Sequence, residues 1–211
     1  MKQIFIGVDH GGTNTTALIL DLNKGIRASE SISMPKFTPK EGWVEHRSDD
    51  FLETSIGACE KALKRSGLEW NDVNAIGIAN QGETSMTWDE KSNYSSAAIS
   101  WEDRRTEKIC ERLKIEKVDQ LIRDKTGILL DPYFSASKFK WLLQNEQQLK
   151  NRVENKNLRL GGTDTYVINR LTNGEVFATD RGTASRTSLL NIRNGQWDQE
   201  LTDAFGIDKN T

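Results

Sequence analysis

The sequence predicts an α/β domain built on a mixed sheet, with antiparallel first strands and flanking helices. Three observations carry that expectation. The chain opens with three strand-like segments joined by tight turns. A long helical run follows them. An apolar strand comes next, and a return to the sheet through a helix favours a parallel crossover.

Each element has a local reason. Residues 3–9, "QIFIGVD", form a short apolar run ending on Asp9, and "GGTN" supplies a glycine-rich turn. Residues 15–21, "TTALILD", read as a second strand, "NKG" as a hairpin turn, and residues 26–34 as a weaker third strand. From Arg47 to Gly67, Phe51, Leu52, Ile56, Cys59 and Leu63 recur at helical spacing, with Ser48 placed to cap and Gly67 to stop the helix. "VNAIGIAN" then reads as a buried strand. Helices are expected over residues 102–113, 117–125 and 135–144. Residues 163–171 read as a strand or short helix, and 175–179 as a further strand.

Composition narrows the function. The 211 residues are 36% hydrophobic and 28% charged, which suits a folded globular chain rather than a disordered one. The formal net charge is -2 with the signs intermixed, so nothing points to nucleic acid. No apolar run reaches the roughly 18 residues that a membrane span needs. The N-terminus reads as a first strand rather than a targeting segment. Cys59 and Cys110 lie far apart and suggest neither a metal cluster nor a disulfide framework, making a cytoplasmic location the default. With only His10 and His46, histidine-based chemistry has little to work with.

Two stretches could carry chemistry. In "GVDHGGTNTT" an acid-ending strand runs into Gly11, Gly12, Thr13, Asn14 and Thr15. Backbone N–H groups of such a turn can face an anion, hydroxyls at Thr13 and Thr15 could add donors, and Asp9 could hold Mg²⁺. The same residues also suit a plain hairpin. In "GIANQGETSMTWD", residues 77–89, Glu83 sits beside Gly82 in a polar turn between strand-like runs. Taken alone, that turn is either a solvated tip or a ligand-holding carboxylate.

Longer matches decide between these readings. An acid-ending first strand, a Gly/Thr turn and a second strand resemble the first phosphate motif of the actin, Hsp70 and sugar kinase superfamily, whose fold is ribonuclease-H-like. "EGWVEHRSDDF" resembles the "GWVEHDP" segment of the FGGY carbohydrate kinases, with glycerol kinases most similar. "GIANQGETSMTWD" is similar to their "GITNQRETTVVWD", and "AAISWEDRRT" to their "AIVWQDRRT". "TGILLDPYFSASKFKWLLQN" resembles the family signature, with Tyr133, Ser135, Lys138 and Trp141 in register. "GTDTYVINRLTNGEVFATDRGTASRTSLLNI" resembles the segment that follows.

The resemblance implies an ATP- and Mg²⁺-dependent kinase acting on a small polyol or sugar. In it, Gly11, Gly12, Thr13, Asn14 and Thr15 would meet nucleotide phosphate, Asp9 the metal, and Gly82, Glu83, Trp101 and Tyr133 the acceptor. Arg104 and Arg105 are expected to brace their loop through ion pairs, and Trp141 to pack in the core. Three positions depart from the family. Gly82 stands where glycerol kinases have an arginine, Thr16 where they often have one near the phosphates, and Gly12 where they have threonine. The family's "GDQ"-type segment, which carries the general base and opens a second domain, does not occur. Residues 1–211 are therefore expected to be the N-terminal, substrate-binding domain of a longer kinase, inactive alone, with the C-terminal domain absent. A homo-oligomeric parent stays open, as does a non-catalytic sugar- or partner-binding fragment of a degenerate kinase.

Overall fold

The structure, a computed structural model, describes residues 3–146, 149 and 157–208. These residues form two compact units. Residues up to Lys36 together with Asp49–Gln81 make the first; Phe37–Ser48 and the residues from Gly82 onward make the second.

The first unit is a four-stranded sheet with one long helix. Strands β1 (Ile4–His10), β2 (Asn14–Asp21) and β3 (Gly25–Ser33) form the expected antiparallel meander. Helix α1 (Ser48–Ser66) crosses back to β5 (Val73–Ala79), which pairs parallel with β1. The sheet order is β3-β2-β1-β5. Alternating residues of β1 and β2, among them Ile4, Ile6, Ala17 and Ile19, pack against Ala58, Cys59, Ala62 and Leu63 of α1. At Gly57 an added Cβ would lie 2.8 Å from Ile32 Cδ1, so the helix approaches β3 closely at a residue without a side chain. The Ser48 hydroxyl donates to the Ser96 carbonyl, an anchor within the second unit rather than the cap expected of it.

One expectation for this unit fails. "VNAIGIAN" is a strand but not a buried one: its pattern is largely exposed, and Ile76 retains 41% of its accessible surface. Hydrogen bonding to β1 ties down one edge. Among the described residues no strand pairs with the other edge.

The second unit is built from helices on short strand pairs. Strand β4 (Glu45–Arg47) pairs with β7 (Ala97–Ile99), and β6 (Met86–Asp89) with β8 (Leu158–Gly161), both antiparallel. The runs around "GETS" thus belong to different sheets and do not close a hairpin. Helix α2 (Glu107–Ile115) starts five residues later than expected, after a turn over residues 101–106, whereas α3 (Val118–Thr126) and α4 (Ser135–Asn145) fall within a residue of their predicted spans. Residues 163–171 resolve as helix α5 (Thr163–Leu171). Residues 175–179 are irregular, not a strand. Several elements were not anticipated: strands β4, β7 and β8, a short helix α6 (Arg181–Ser185), and α7 (Gln199–Phe205) following the β9 (Leu190–Asn191) and β10 (Gln196–Trp197) pair. Its main core joins Leu113, Ile122, Phe139, Leu201 and Phe205. Among the described residues no helix is long and apolar enough to cross a membrane.

Candidate functional site

In the first unit the β1–β2 turn is tightly defined. Gly11 N–H donates to the Asn14 carbonyl at 2.9 Å, and Met34 N–H donates to the Thr13 carbonyl at 2.8 Å. Gln81 Nε2 donates to the Gly11 carbonyl at 2.7 Å. Three turn carbonyls are therefore tied into the protein, which suits a turn whose N–H groups meet an anion. A Cβ at Gly11 would lie 2.9 Å from the Asn14 carbonyl oxygen, so only glycine fits; at Gly12 the space is open. Thr13 and Asn14 are exposed.

Thr15 corrects the sequence reading. Its side chain is fully buried, and its hydroxyl bonds Thr54 at 2.8 Å. Strand alternation sets this direction: Thr15 shares the inward face with Ala17 and Ile19, so its hydroxyl is not available to a phosphate. His10, one residue before the turn, is also buried. Its Nε2 lies 2.8 Å from Ser55 Oγ, its ring meets Phe51 edge-on, and burial lowers its pKa to about 4. Asp9 is exposed at the strand end, in register with Thr16 and Ala79. Among the described residues no cluster of three or more His, Cys, Asp or Glu is placed to hold a metal. A single carboxylate still fits Mg²⁺, which draws its remaining ligands from phosphates and water.

The second unit gathers the predicted acceptor residues. Glu83 is buried, with 7% of its surface accessible. Ser85, just beyond it, exchanges backbone hydrogen bonds with Ile99 and donates its hydroxyl to the Glu83 carbonyl. Trp101 follows β7 and stays 39% exposed. Its ring meets Tyr133 at 5.8 Å between centroids, inclined by 62°. Tyr133 is set by an Asp131 turn, in which its N–H donates to Asp131 Oδ1 at 2.9 Å, just before α4 begins.

The structure adds a residue that sequence reasoning missed. Arg186 Nε donates to Glu83 Oε1 at 2.6 Å across 103 positions of sequence. The same guanidinium lies 5.9 Å from the Tyr133 ring centroid and 5.0 Å from that of Phe134. Asp180 caps α6 by accepting from Gly182 and Thr183 N–H groups, and Ala136 N–H donates to the Thr187 carbonyl. Arg186 is thus held between a capped helix and the start of α4.

Around this cluster the loop of residues 100–105 is pinned. Arg105 lies 3.8 Å from the Trp43 ring centroid and pairs with Glu45 and Asp103. Asp103 accepts from Val44 N–H, and Arg104 pairs with Glu107. Both arginines brace the loop, as expected of them. Trp141 packs edge-on against Trp43 and stays half-buried beside the core. A cavity of about 490 Å³ opens beside Gly82, lined by Leu160, Phe177, Ala184 and Leu190 among others. Glu83, Trp101, Tyr133 and Arg186 are not on its wall, so the polar cluster and not the cavity is the better site.

Residues 4–211 match the N-terminal domain of the FGGY family of carbohydrate kinases. The chain belongs to that family. It is 41% identical over 203 residues to a glycerol kinase of Rhodopseudomonas palustris, covering 96% of this chain and 41% of the relative. It is 40% identical over 210 residues to a glycerol kinase of Rhizobium meliloti, covering 99% and 42%. The crystal structure of Plasmodium falciparum glycerol kinase with ADP superposes with a TM-score of 0.88 at 27% identity, over 97% of this chain and 41% of that one. This FGGY chain therefore spans about two-fifths of the length of the relatives it matches. Its mixed sheet is that of the actin, Hsp70 and sugar kinase fold.

Proposed function

We propose that residues 1–211 are the N-terminal, substrate-binding domain of an ATP-dependent FGGY kinase that phosphorylates a hydroxyl of a polyol or sugar, with glycerol the first candidate. The observation that carries this reading is the cluster in the second unit: a buried carboxylate beside an aromatic wall and a phenol. A fixed carboxylate accepts hydrogen bonds from neighbouring hydroxyls, and Trp101 offers an apolar face to the C–H side. Glu83, Trp101 and Tyr133 hold the acceptor, and Gly82 leaves room beside them. The turn of Gly11, Gly12, Thr13 and Asn14 meets nucleotide phosphate. Asp9 holds Mg²⁺, which would neutralise phosphate charge. Phosphoryl transfer asks mainly for such positioning and charge stabilisation. Use of ATP is consistent with a cytoplasmic location.

The test is a pair of titrations on the chain. Glycerol is expected to shift the Trp101 indole N–H resonance, Glu83→Ala to abolish that shift, and Asp9→Ala to leave it intact. Magnesium-dependent binding of ATP should show the reverse sensitivity. Glu83→Ala binding glycerol like the parent would sink the acceptor assignment.

A further inference from the structure

We infer that Arg186 is a substrate-binding residue that takes a neutral vicinal diol jointly with Glu83. The inference rests on the acceptor reading above and deepens it. A guanidinium carries five N–H donors in a fixed fork. One engages the Glu83 carboxylate at 2.6 Å, and the guanidinium lies 5.9 Å from the Tyr133 ring centroid. Arg186 therefore lies beside two residues already assigned to the acceptor. It remains 40% exposed, whereas Glu83 keeps only 9% of its side-chain surface, so the arginine is the more accessible member of the pair.

The chemistry of the pair is complementary to a diol. Each hydroxyl is both donor and acceptor. Glu83 accepts its proton, and Arg186 donates to its oxygen. One buried anion paired with one cation leaves the pair without net charge, which favours an uncharged acceptor over an acidic one.

Gly82 explains why the cation can come from position 186. A Cβ at Gly82 would lie 3.7 Å from Arg186 Cγ, with no other atom within 4 Å outside its chain neighbours. A long side chain at 82 would start alongside the arginine stem. Glycine leaves that lane to Arg186. The polyol-binding guanidinium is thus present, delivered from the end of α6 rather than from the turn beside Glu83.

The experiment titrates glycerol into the 211-residue chain and its variants, following the Trp101 indole resonance, with the thermal midpoint of each variant recorded. Arg186→Ala and Arg186→Gln should each weaken glycerol binding roughly 10- to 150-fold, the loss expected of one charged hydrogen bond. Adding Gly82→Arg to Arg186→Ala should restore part of the affinity, because it returns a guanidinium to the same space. A merely structural Arg186 would not be rescued in that way. If a folded Arg186→Gln binds within about twofold of the parent while Glu83→Ala does not bind, Arg186 is no ligand and this inference falls alone. If the double variant gains nothing over Arg186→Ala, the inference also falls. If the parent shows no glycerol-dependent shift, or Glu83→Ala binds as the parent does, the acceptor reading fails and takes this inference with it.

Discussion

Lys138 is fully buried, and its ammonium donates to the carbonyls of Tyr133 and Phe134, the two residues that lead into α4. It therefore fixes the backbone that presents Tyr133. Burial lowers its pKa to about 7, against the opposing pull of Asp103 and Glu83. The sign of the linkage follows. Above pH 7 the folded lysine is largely neutral, whereas the unfolded one keeps its proton until about 10.5, so the unfolded state binds more protons and stability rises with pH. Between pH 7 and 8.5 that gain amounts to about 2 kcal/mol. The two buried thiols, which burial pushes up to about 11, oppose this gain as the unfolded thiols begin to ionise near pH 8.5–9, but up to pH 8.5 they offset less than about 1 kcal/mol of it. We expect urea midpoints to rise from pH 7 to 8.5 in the parent and not in Lys138→Met, which should also lose about 1–3 kcal/mol from the two carbonyls it leaves unmet. A parent midpoint that does not move with pH would show a lysine of ordinary basicity. Neither Lys138 nor Arg186 was legible in the sequence as a site residue. Lys138 reads as one signature residue in a helix, and its burial depends on packing from α2 and neighbouring segments. Arg186 meets Glu83 across a sequence separation that no local pattern spans. Thr15 is a different case, because period-two alternation with Ala17 and Ile19 already pointed its hydroxyl inward.

At the scale of elements, legibility followed length. The meander β1–β3, helix α1 and the parallel β5 were readable, because apolar residues recur over seven or more positions in each strand and over 19 in the helix. The three-residue strands β4 and β7 carry too little periodicity to announce themselves. They exist because each finds the other. The β6–β8 pair is specified by packing at Gly161. A Cβ there would lie 2.8 Å from Trp88 Cη2 and 3.0 Å from Thr165 Cβ. Trp88 cannot retreat: it is fully buried, its indole N–H donates to Asn169 Oδ1 at 2.8 Å, and its ring packs edge-on against Tyr166. Gly161→Ala is therefore expected to destabilise the chain by about 1–3 kcal/mol through overpacking. That corresponds to a thermal midpoint lower by roughly 2–12 °C for a chain of this size. A midpoint unchanged within a degree would mean that the Trp88 ring has room to shift. Trp88→Phe in the Gly161→Ala background should recover part of the loss.

At the scale of the whole molecule, the two compact units give acid unfolding a spatial signature. His10 belongs to the first unit, where burial holds its pKa near 4. The unfolded chain binds that proton near 6.5. Between these values the unfolded state carries more protons, so stability falls as pH is lowered through the window. The full shift is worth about 3 kcal/mol, of which about 2 kcal/mol is lost by pH 5. Of the six tryptophans, Trp43, Trp88, Trp101, Trp141 and Trp197 lie in the second unit and Trp70 in the first. Tryptophan emission thus reports mainly on the second unit, while far-ultraviolet circular dichroism reports on both. Each unit has its own hydrophobic core, which permits unfolding in more than one step. We expect urea curves from the two probes to lie close together at pH 7. At pH 5 the dichroism curve should move to lower urea than the emission curve, as the first unit loosens ahead of the second. His10→Gln, which keeps a polar group near Ser55 but takes no proton, should bring the two curves together again at pH 5. Curves that coincide at both pH values would show that the units unfold as one. A His10→Gln variant with the same acid sensitivity as the parent would place its origin in other groups.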